Sequence, residues 1–487
     1  MKRTTIICAS VMALVAIMLL PTVASADTFD AAGAGQLKDS VGINSMWVIV
    51  AGLVVMFMQA GFAFLEIGFS RGKNAGTVVA KVLMNFSIAG LAYWACGFAF
   101  AFGTGDIIGH VGFFLRDYGD PQTAFPIMGL SDATVEAKWF FQFVFCAVSL
   151  AIVWGTTLER IKFGVYAIYA VIFAAVIYPI GSHWVFGGGW LQSNLGMQDF
   201  AGSTAVHLIG ATGALAVLLH LGPRRGKYGP DGRPRPIPGH NMPLFGLSIF
   251  ILWFGWFGFN PGSTLNALDG RFTEVVVTTQ LAACAGVLMA IITGKLLMKT
   301  IDIGMAGNGA IAALVAITAP SGYVMPWAAV IIGGVAGVLV VVSVLAIDKK
   351  LDDPVGALSA HGMAGIWGTL ACGLFTNPDL AAYNAVGDPG LVYSGSFHQL
   401  GIQALGVVTV FGFVFLTSYI VFFLIKKTYG LRVSAEEEDA GLDISEHGMY
   451  GYPEQFIPAP ELIGVGPVQT PAGVSASSDL NPTEVPA

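Results

Sequence analysis

Two histidines stand alone in apolar surroundings. One is His207, in Asp199-Phe-Ala-Gly202-Ser-Thr-Ala-Val-His207, and the other is His361, in Leu358-Ser-Ala-His361-Gly-Met. An ionisable side chain in hydrocarbon is costly, so it normally faces a cavity or a pathway rather than lipid. Neutral imidazole has one donor and one acceptor nitrogen. Two facing imidazoles can therefore share a proton and line a narrow path. Such a path resists a bare cation yet accepts a small hydrogen-bonding molecule or relays a proton. Two unrelated core histidines, each bonded to backbone, are the plainer alternative; placement at matching helices favours the paired reading.

Other groups could serve such a path. Glu66, in Phe62-Ala-Phe-Leu-Glu66, reads either as a proton carrier or as a structural hydrogen-bond hub. Asp199 begins the His207 segment, where it can cap the helix, add negative potential to a site above it, or do both. Aromatic residues gather in Trp139-Phe-Phe141-Gln-Phe-Val-Phe145 and Trp253-Phe-Gly-Trp256-Phe-Gly-Phe259-Asn-Pro-Gly-Ser263. They read as an interfacial belt, or as a vestibule whose ring faces attract a cation by about 2 kcal/mol or more per desolvated contact. Ser263 could then accept a hydrogen bond from that cation. Cys96, Cys146, Cys284 and Cys372 are isolated in apolar runs without metal-ligand spacing and read as small buried apolar residues. No metal and no cofactor are expected. His207 and His220 are thirteen apart, a spacing that suits two haems only with a matching pair on a second helix, which His361 lacks.

The elements that must position these residues are membrane helices. Of 487 residues, 55% are hydrophobic and 11% charged; a soluble domain carries about twice that charged share. The windows 46–66, 78–103, 139–157, 164–181, 203–222, 243–259, 275–294, 303–319, 324–347, 360–375 and 400–425 each approach the length that spans a bilayer core, about 20 residues for about 30 Å. They predict an all-α integral membrane protein with eleven transmembrane helices. Residues 1–26 read as a cleaved signal peptide, with Lys2 and Arg3 before an apolar run and Ala24-Ser25-Ala26 as the cleavage site; Cys8 leaves with it. Residues 27–427 form the membrane domain. Residues 428–487 form a cytoplasmic tail whose last part is disordered.

Basic residues fall in alternate loops: Arg71 and Lys73, Arg160 and Lys162, 224–235, Lys295 and Lys299, Lys349 and Lys350, and 426–432. Basic loops stay cytoplasmic, which puts the N-terminus outside, the C-terminus inside, and the chain in the cytoplasmic membrane. His207 and His361 then occupy the fifth and tenth spans of two oppositely oriented halves. That suggests an inverted 5+5 repeat plus one extra helix, with a shared site near the midplane. The net charge of −7 sits in outer loops and the tail, and gives nucleic-acid binding no support. Glycines at Gly210, Gly213, Gly333, Gly334 and Gly337 lie within spans and predict close helix packing.

Several longer segments identify a family. Arg71-Gly-Lys-Asn74, Leu158-Glu-Arg-Ile-Lys-Phe163, Asp199 to His207, Gly255-Trp-Phe-Gly-Phe-Asn260, Ala360-His361-Gly, Gly430-Leu-Arg-Val433, Gly441-Leu-Asp443 and His447-Gly448 resemble ammonium transporters of the Amt/Mep/Rh superfamily, bacterial and archaeal Amt branch. The resemblance covers about residues 42 to 450. It implies a transporter rather than an enzyme, acting on ammonium or ammonia, and a homotrimer with one pore per subunit. It implies His207 and His361 as a pore pair and Phe145 and Phe259 as a stacked gate. Phe141, Phe186, Ser263 and Asp199 would form the ammonium-binding vestibule, with Trp256 structural beside the pore. A cytoplasmic PII-type signalling protein is an implied partner. In His183-Trp-Val-Phe186-Gly-Gly-Gly189 the chain departs from the family, which often has Trp where Phe186 stands. Phe has a weaker ring face and no indole N–H, so weaker outer binding is expected unless Trp184 or Trp190 compensates. Two further readings stay open: an ammonium sensor acting through a separate signalling partner, and an Rh-like neutral gas channel.

Overall fold

Apolar helices account for nearly every predicted window. The computed structural model describes residues 39–116, 118–127 and 133–456. The expected leader with Cys8, and residues 458–487, lie outside the described residues. In chain order the long segments are α1 (Asp39–Phe69), α2 (Gly72–Phe102), α3 (Val135–Gly155), α4 (Phe163–Ser193), α5 (Ser203–Leu221), α6 (Met242–Thr264), α7 (Arg271–Met298), α8 (Ile303–Thr318), α9 (Pro326–Ile347), α10 (residues 358–375) and α11 (His398–Thr428). Among the described residues, nine of these are long and apolar enough to cross a membrane; α8 is a shorter apolar helix, and α10 is not among the nine. No strand occurs among the described residues, only isolated bridges at Ile161–Arg432 and Tyr228–Pro234. The chain is thus an all-α, multi-pass membrane protein.

The bundle has a centre and a rim. Helices α3 and α5 are 89% and 83% buried, and α8 is buried from Asn308 onward. The outer helices leave apolar faces open, with Phe250, Leu288, Leu296 and Val408 among the exposed residues. In lipid such faces carry no penalty, and packing rather than hydrophobic exclusion joins the helices. Small residues allow it. Gly333 and Gly337 of α9 meet the α7 backbone at Ala282 and Gly286, leaving no room for a Cβ. Gly210 of α5 lies against the Ser149 carbonyl of α3 in the same way. One cysteine departs from expectation. Cys146 and Cys372 are buried and Cys96 half-buried, but Cys284 is exposed, because it lies on the outward face of α7.

The basic loops assemble at one end. Glu159 receives Arg71 (backbone N–H 2.8 Å) and Arg224 (3.6 Å). Asp352 takes Nε and Nη2 of Arg224, both at 2.9 Å, and Arg160 donates to the carbonyls of Gly222, Leu158 and Asp352. Burial raises the Asp352 carboxyl, but the Arg224 hydrogen bonds and the Arg160 and Arg224 charges outweigh it and hold the group down at about 2. The C-terminal segment docks onto this end. Glu438 binds Arg432 at 2.6 Å and the Arg225 N–H at 2.7 Å. The Asp443 carboxylate accepts the N–H groups of Gly76 and Thr77 at the start of α2. These contacts bring the segments at 71–74, 158–163, 430–433 and 441–443 together at one end of the bundle.

Candidate functional site

Both histidine helices begin with a π-helical turn and an aspartate. Asp199 accepts four N–H groups, those of Gly202 (2.7 Å), Ser203 (3.0 Å), Thr204 (2.8 Å) and Ala205 (3.0 Å). The first-turn donors of α5 have no partners within the helix, and one carboxylate satisfies them. Gly202 makes the bend possible, with φ of 119°. At α10, Asp353 accepts the N–H groups of Gly356 (3.0 Å) and Leu358 (2.7 Å), and Gly356 has φ of 76°. The π turns Ser203–Leu208 and Leu358–Met363 contain His207 and His361. Helix α10 starts beside Asp352 at the basic end, whereas α5 starts at the opposite end, so the two histidine helices approach from opposite sides.

The imidazoles meet in the centre. Nδ1 of His207 and Nδ1 of His361 lie 3.3 Å apart, with the rings 20° from parallel. One ring donates an N–H and the other accepts it. The far nitrogen of His207, Nε2, is buried without a protein partner. The His207 ring packs against both Trp256 (5.4 Å) and Phe259 (5.5 Å), and Trp256 is anchored by its own N–H on Thr318 Oγ1 at 3.0 Å. Phe145 and Phe259 stack at 3.9 Å and 14°.

A cavity of about 270 Å³ opens beyond the stacked rings. Phe145, Phe186, Asp199 and Ser263 line it, joined by Phe102 and Gln142. Phe102 lies nearly parallel to Phe186, 6.3 Å away. Ser263 Oγ donates to the Phe259 carbonyl at 2.8 Å, leaving its oxygen lone pairs available. Two expectations change here. Phe141 does not line the cavity; it packs behind Phe145 at 4.6 Å and against Gly262. Gln142 and Phe145, three apart on α3, take the cavity face instead. Neither Trp184 nor Trp190 stands in for the absent tryptophan. The Trp184 N–H is bonded to the Ile107 carbonyl at 2.7 Å, and the two indoles pack together, 6.2 Å apart, away from the cavity.

On the other side of the histidines, a cavity of about 20 Å³ is bordered by His361, Phe62, Glu66, Trp256 and Asn308. Glu66 is ion-paired with Lys81, both side chains being 2% exposed.

This geometry can be set beside known proteins. A family model described as Ammonium Transporter Family matches residues 46–452. The chain belongs to the ammonium transporter family. It is 43% identical over 467 residues to the ammonium transporter Amt2 of Archaeoglobus fulgidus, covering 92% of this chain and 96% of that relative. A solved structure titled Sensor Amt Protein is 38% identical, with a TM-score of 0.77 over 84% of this chain and 99% of that one. The Candida albicans Mep2 structure is 27% identical, with a TM-score of 0.73, covering 84% and 90%.

In this ammonium transporter family member, two features of the site lie outside the motifs that mark the family. Lys81 is the lone lysine of an apolar run, and its charge alone could have marked it. The pattern Asp-x-x-Gly-x-x-x-x-His occurs at 199–207 and again at 353–361. That spacing was an available signal for the equivalence of the two histidines.

Proposed function

We propose that this protein moves ammonium across the cytoplasmic membrane by recognising the cation at the wide cavity and conducting ammonia and its proton past the histidines. The observation that carries the reading is the Nδ1–Nδ1 approach of His207 and His361 at 3.3 Å directly behind stacked Phe145 and Phe259. Asp199 and Ser263 border the cavity in front of those rings. Negative potential from Asp199, the Phe186 and Phe145 ring faces and the Ser263 oxygen suit a small cation there. The apolar gate admits the neutral molecule more readily than the ion. His207 Nε2 and the Nδ1–Nδ1 contact then provide a donor–acceptor chain for what passes. Phe141 supports the gate from behind, and Trp256 fixes the ring plane of His207.

In this reading α8 and α10 also cross the bilayer, giving eleven spans in an inverted 5+5 repeat plus α11. The wide cavity faces outside and the basic end faces the cytoplasm. The exposed apolar rim suits assembly as a homotrimer. The docked segment at 430–448 offers a surface to a PII-type partner. Two cavities on opposite sides of the histidine pair support transport over sensing. The test is an ammonium pulse applied to the purified protein in liposomes, with potassium and protein-free controls. A saturable ammonium-specific current, or ammonia-driven alkalinisation of the lumen, is expected. The absence of both responses would refute conduction.

A further inference from the structure

Between the histidines and the basic end lies a charge pair that the pore pair and the vestibule do not account for. Glu66 on α1 and Lys81 on α2 are each buried, and each is the other's ion-pair partner. Removing two charges from water is expensive, and a hydrophobic pair of equal volume often serves stability as well. The pair therefore has a poor claim to being structural filling. Its position adds to this. Glu66, but not Lys81, borders the 20 Å³ cavity that also touches His361. About one water fits such a volume when polar partners surround it. His361, Glu66 and Asn308 supply three polar side chains on that wall. Asn308 is already fixed by its Nδ2 donation to the Val355 carbonyl at 3.2 Å, leaving its oxygen as a spare acceptor.

We propose that Glu66 is the proton acceptor that takes the proton leaving the histidine pair, through a water in this cavity. The inference rests on the conduction reading above. When a histidine holds an extra proton, an imidazolium N–H bond breaks and the bridging water accepts that proton. The same water gives one of its own to a Glu66 oxygen, forming an O–H bond. The imidazole returns to its neutral state and the water is unchanged. Glu66 then releases its proton to water at the basic end and becomes a carboxylate again.

Lys81 gives this relay its direction. While Glu66 is ionised, the ammonium of Lys81 compensates it in a low-dielectric setting, which keeps an empty acceptor available. Once Glu66 is protonated, Lys81 is a buried charge without a counter-ion, so the proton is not retained. The charged and polar groups around the carboxyl and its cavity are its ion-pair partner Lys81 from α2, with His361 from α10 and Asn308 from α8 bordering the same cavity, and the Tyr166 ring of α4 is 5.6 Å from the Lys81 ammonium. No second carboxylate borders the cavity among the described residues.

The test uses the full chain in liposomes, comparing wild type, Glu66→Asp and the double variant Glu66→Gln/Lys81→Met. The double variant leaves no unpaired buried charge, so its fold is protected. Two readouts are taken after an ammonium pulse: current, and alkalinisation of the lumen by neutral ammonia. The double variant is expected to lose current by at least about a hundredfold, the lower end of what general acid–base groups contribute, while keeping ammonia-driven alkalinisation. Glu66→Asp, which retains an acid, is expected to keep a reduced current. A double variant that carries current as wild type does overturns the relay alone. Loss of both readouts in the double variant marks the pair as structural and also overturns it. A wild type without ammonium-specific current removes the conduction of a proton itself, and the relay with it.

Discussion

Asp353 stands to His361 as Asp199 stands to His207. Each carboxylate lies eight residues before its imidazole and accepts the first free N–H groups of the histidine's own helix. The two helices start from opposite ends of the bundle, so each histidine is held from a fixed anchor on its own side. Caps of this kind contribute about 0.5–2 kcal/mol each. Asp199→Ala and Asp353→Ala are both expected to lower thermal stability in detergent, Asp199→Ala more so because four N–H groups lose their partner there rather than two. Equal melting of both variants and wild type would show that water replaces the carboxylates without cost.

The shared proton between His207 and His361 needs both rings. Replacing either by Ala removes the Nδ1–Nδ1 contact at 3.3 Å and opens space beside Phe259 or Phe62. His207→Ala or His361→Ala is expected to abolish coupled transport or to relax selectivity toward potassium. The check is the liposome current with ammonium and potassium supplied separately. Wild-type current and selectivity in both variants would remove the two histidines from the path.

Phe186 supplies a benzene face where a tryptophan would present a larger and more electron-rich one. It sits on the cavity wall and stacks near Phe102. Phe186→Trp is expected to tighten apparent ammonium affinity by about fivefold, equivalent to about 1 kcal/mol of added cation–π attraction. The half-saturating ammonium concentration measures it. An unchanged or higher value would mean that Phe102 already supplies the missing ring face.

The basic end gives a pH dependence with a definite sign. The Asp352 carboxyl is held at about 2 when folded, against about 3.9 in an unfolded chain. A carboxyl depressed by folding adds stability that is fully present above the unfolded value. That stability is lost as pH falls through the folded one. The contribution is on the order of 2 kcal/mol, so melting temperature should be flat from pH 7 to 5 and fall between pH 4 and 2. Asp352→Asn should remove that decline and lower stability at neutral pH by about 3 kcal/mol, because buried Arg224 and Arg160 lose their shared carboxylate and keep only Glu159 nearby. A variant with an unchanged acid decline would place the titrating group elsewhere.

Much of this protein is decided by its sequence alone. Runs of about 20 apolar residues have one stable solution in a bilayer, because every backbone N–H and C=O must be bonded within the segment. The span windows, the grouping of basic loops and the two isolated histidines were legible for that reason. So were the motifs at 71–74, 158–163 and 430–433, although their reason, a single ion-paired and docked end, appears only in three dimensions. The tertiary structure decided what depends on rotation about a helix axis. Phe141 and Phe145 are equally aromatic in sequence, but only Phe145 reaches the cavity. Trp184 could have replaced the missing ring, yet its N–H is bonded to Ile107 and its face turns away from the cavity. Phe102, Gln142 and the pairing of Glu66 with Lys81 likewise join residues of different helices. Periodicity says which side of a helix is apolar. It does not say which neighbour that side meets, and in a bundle with apolar faces outside and polar side chains buried inside, the neighbour determines the chemistry.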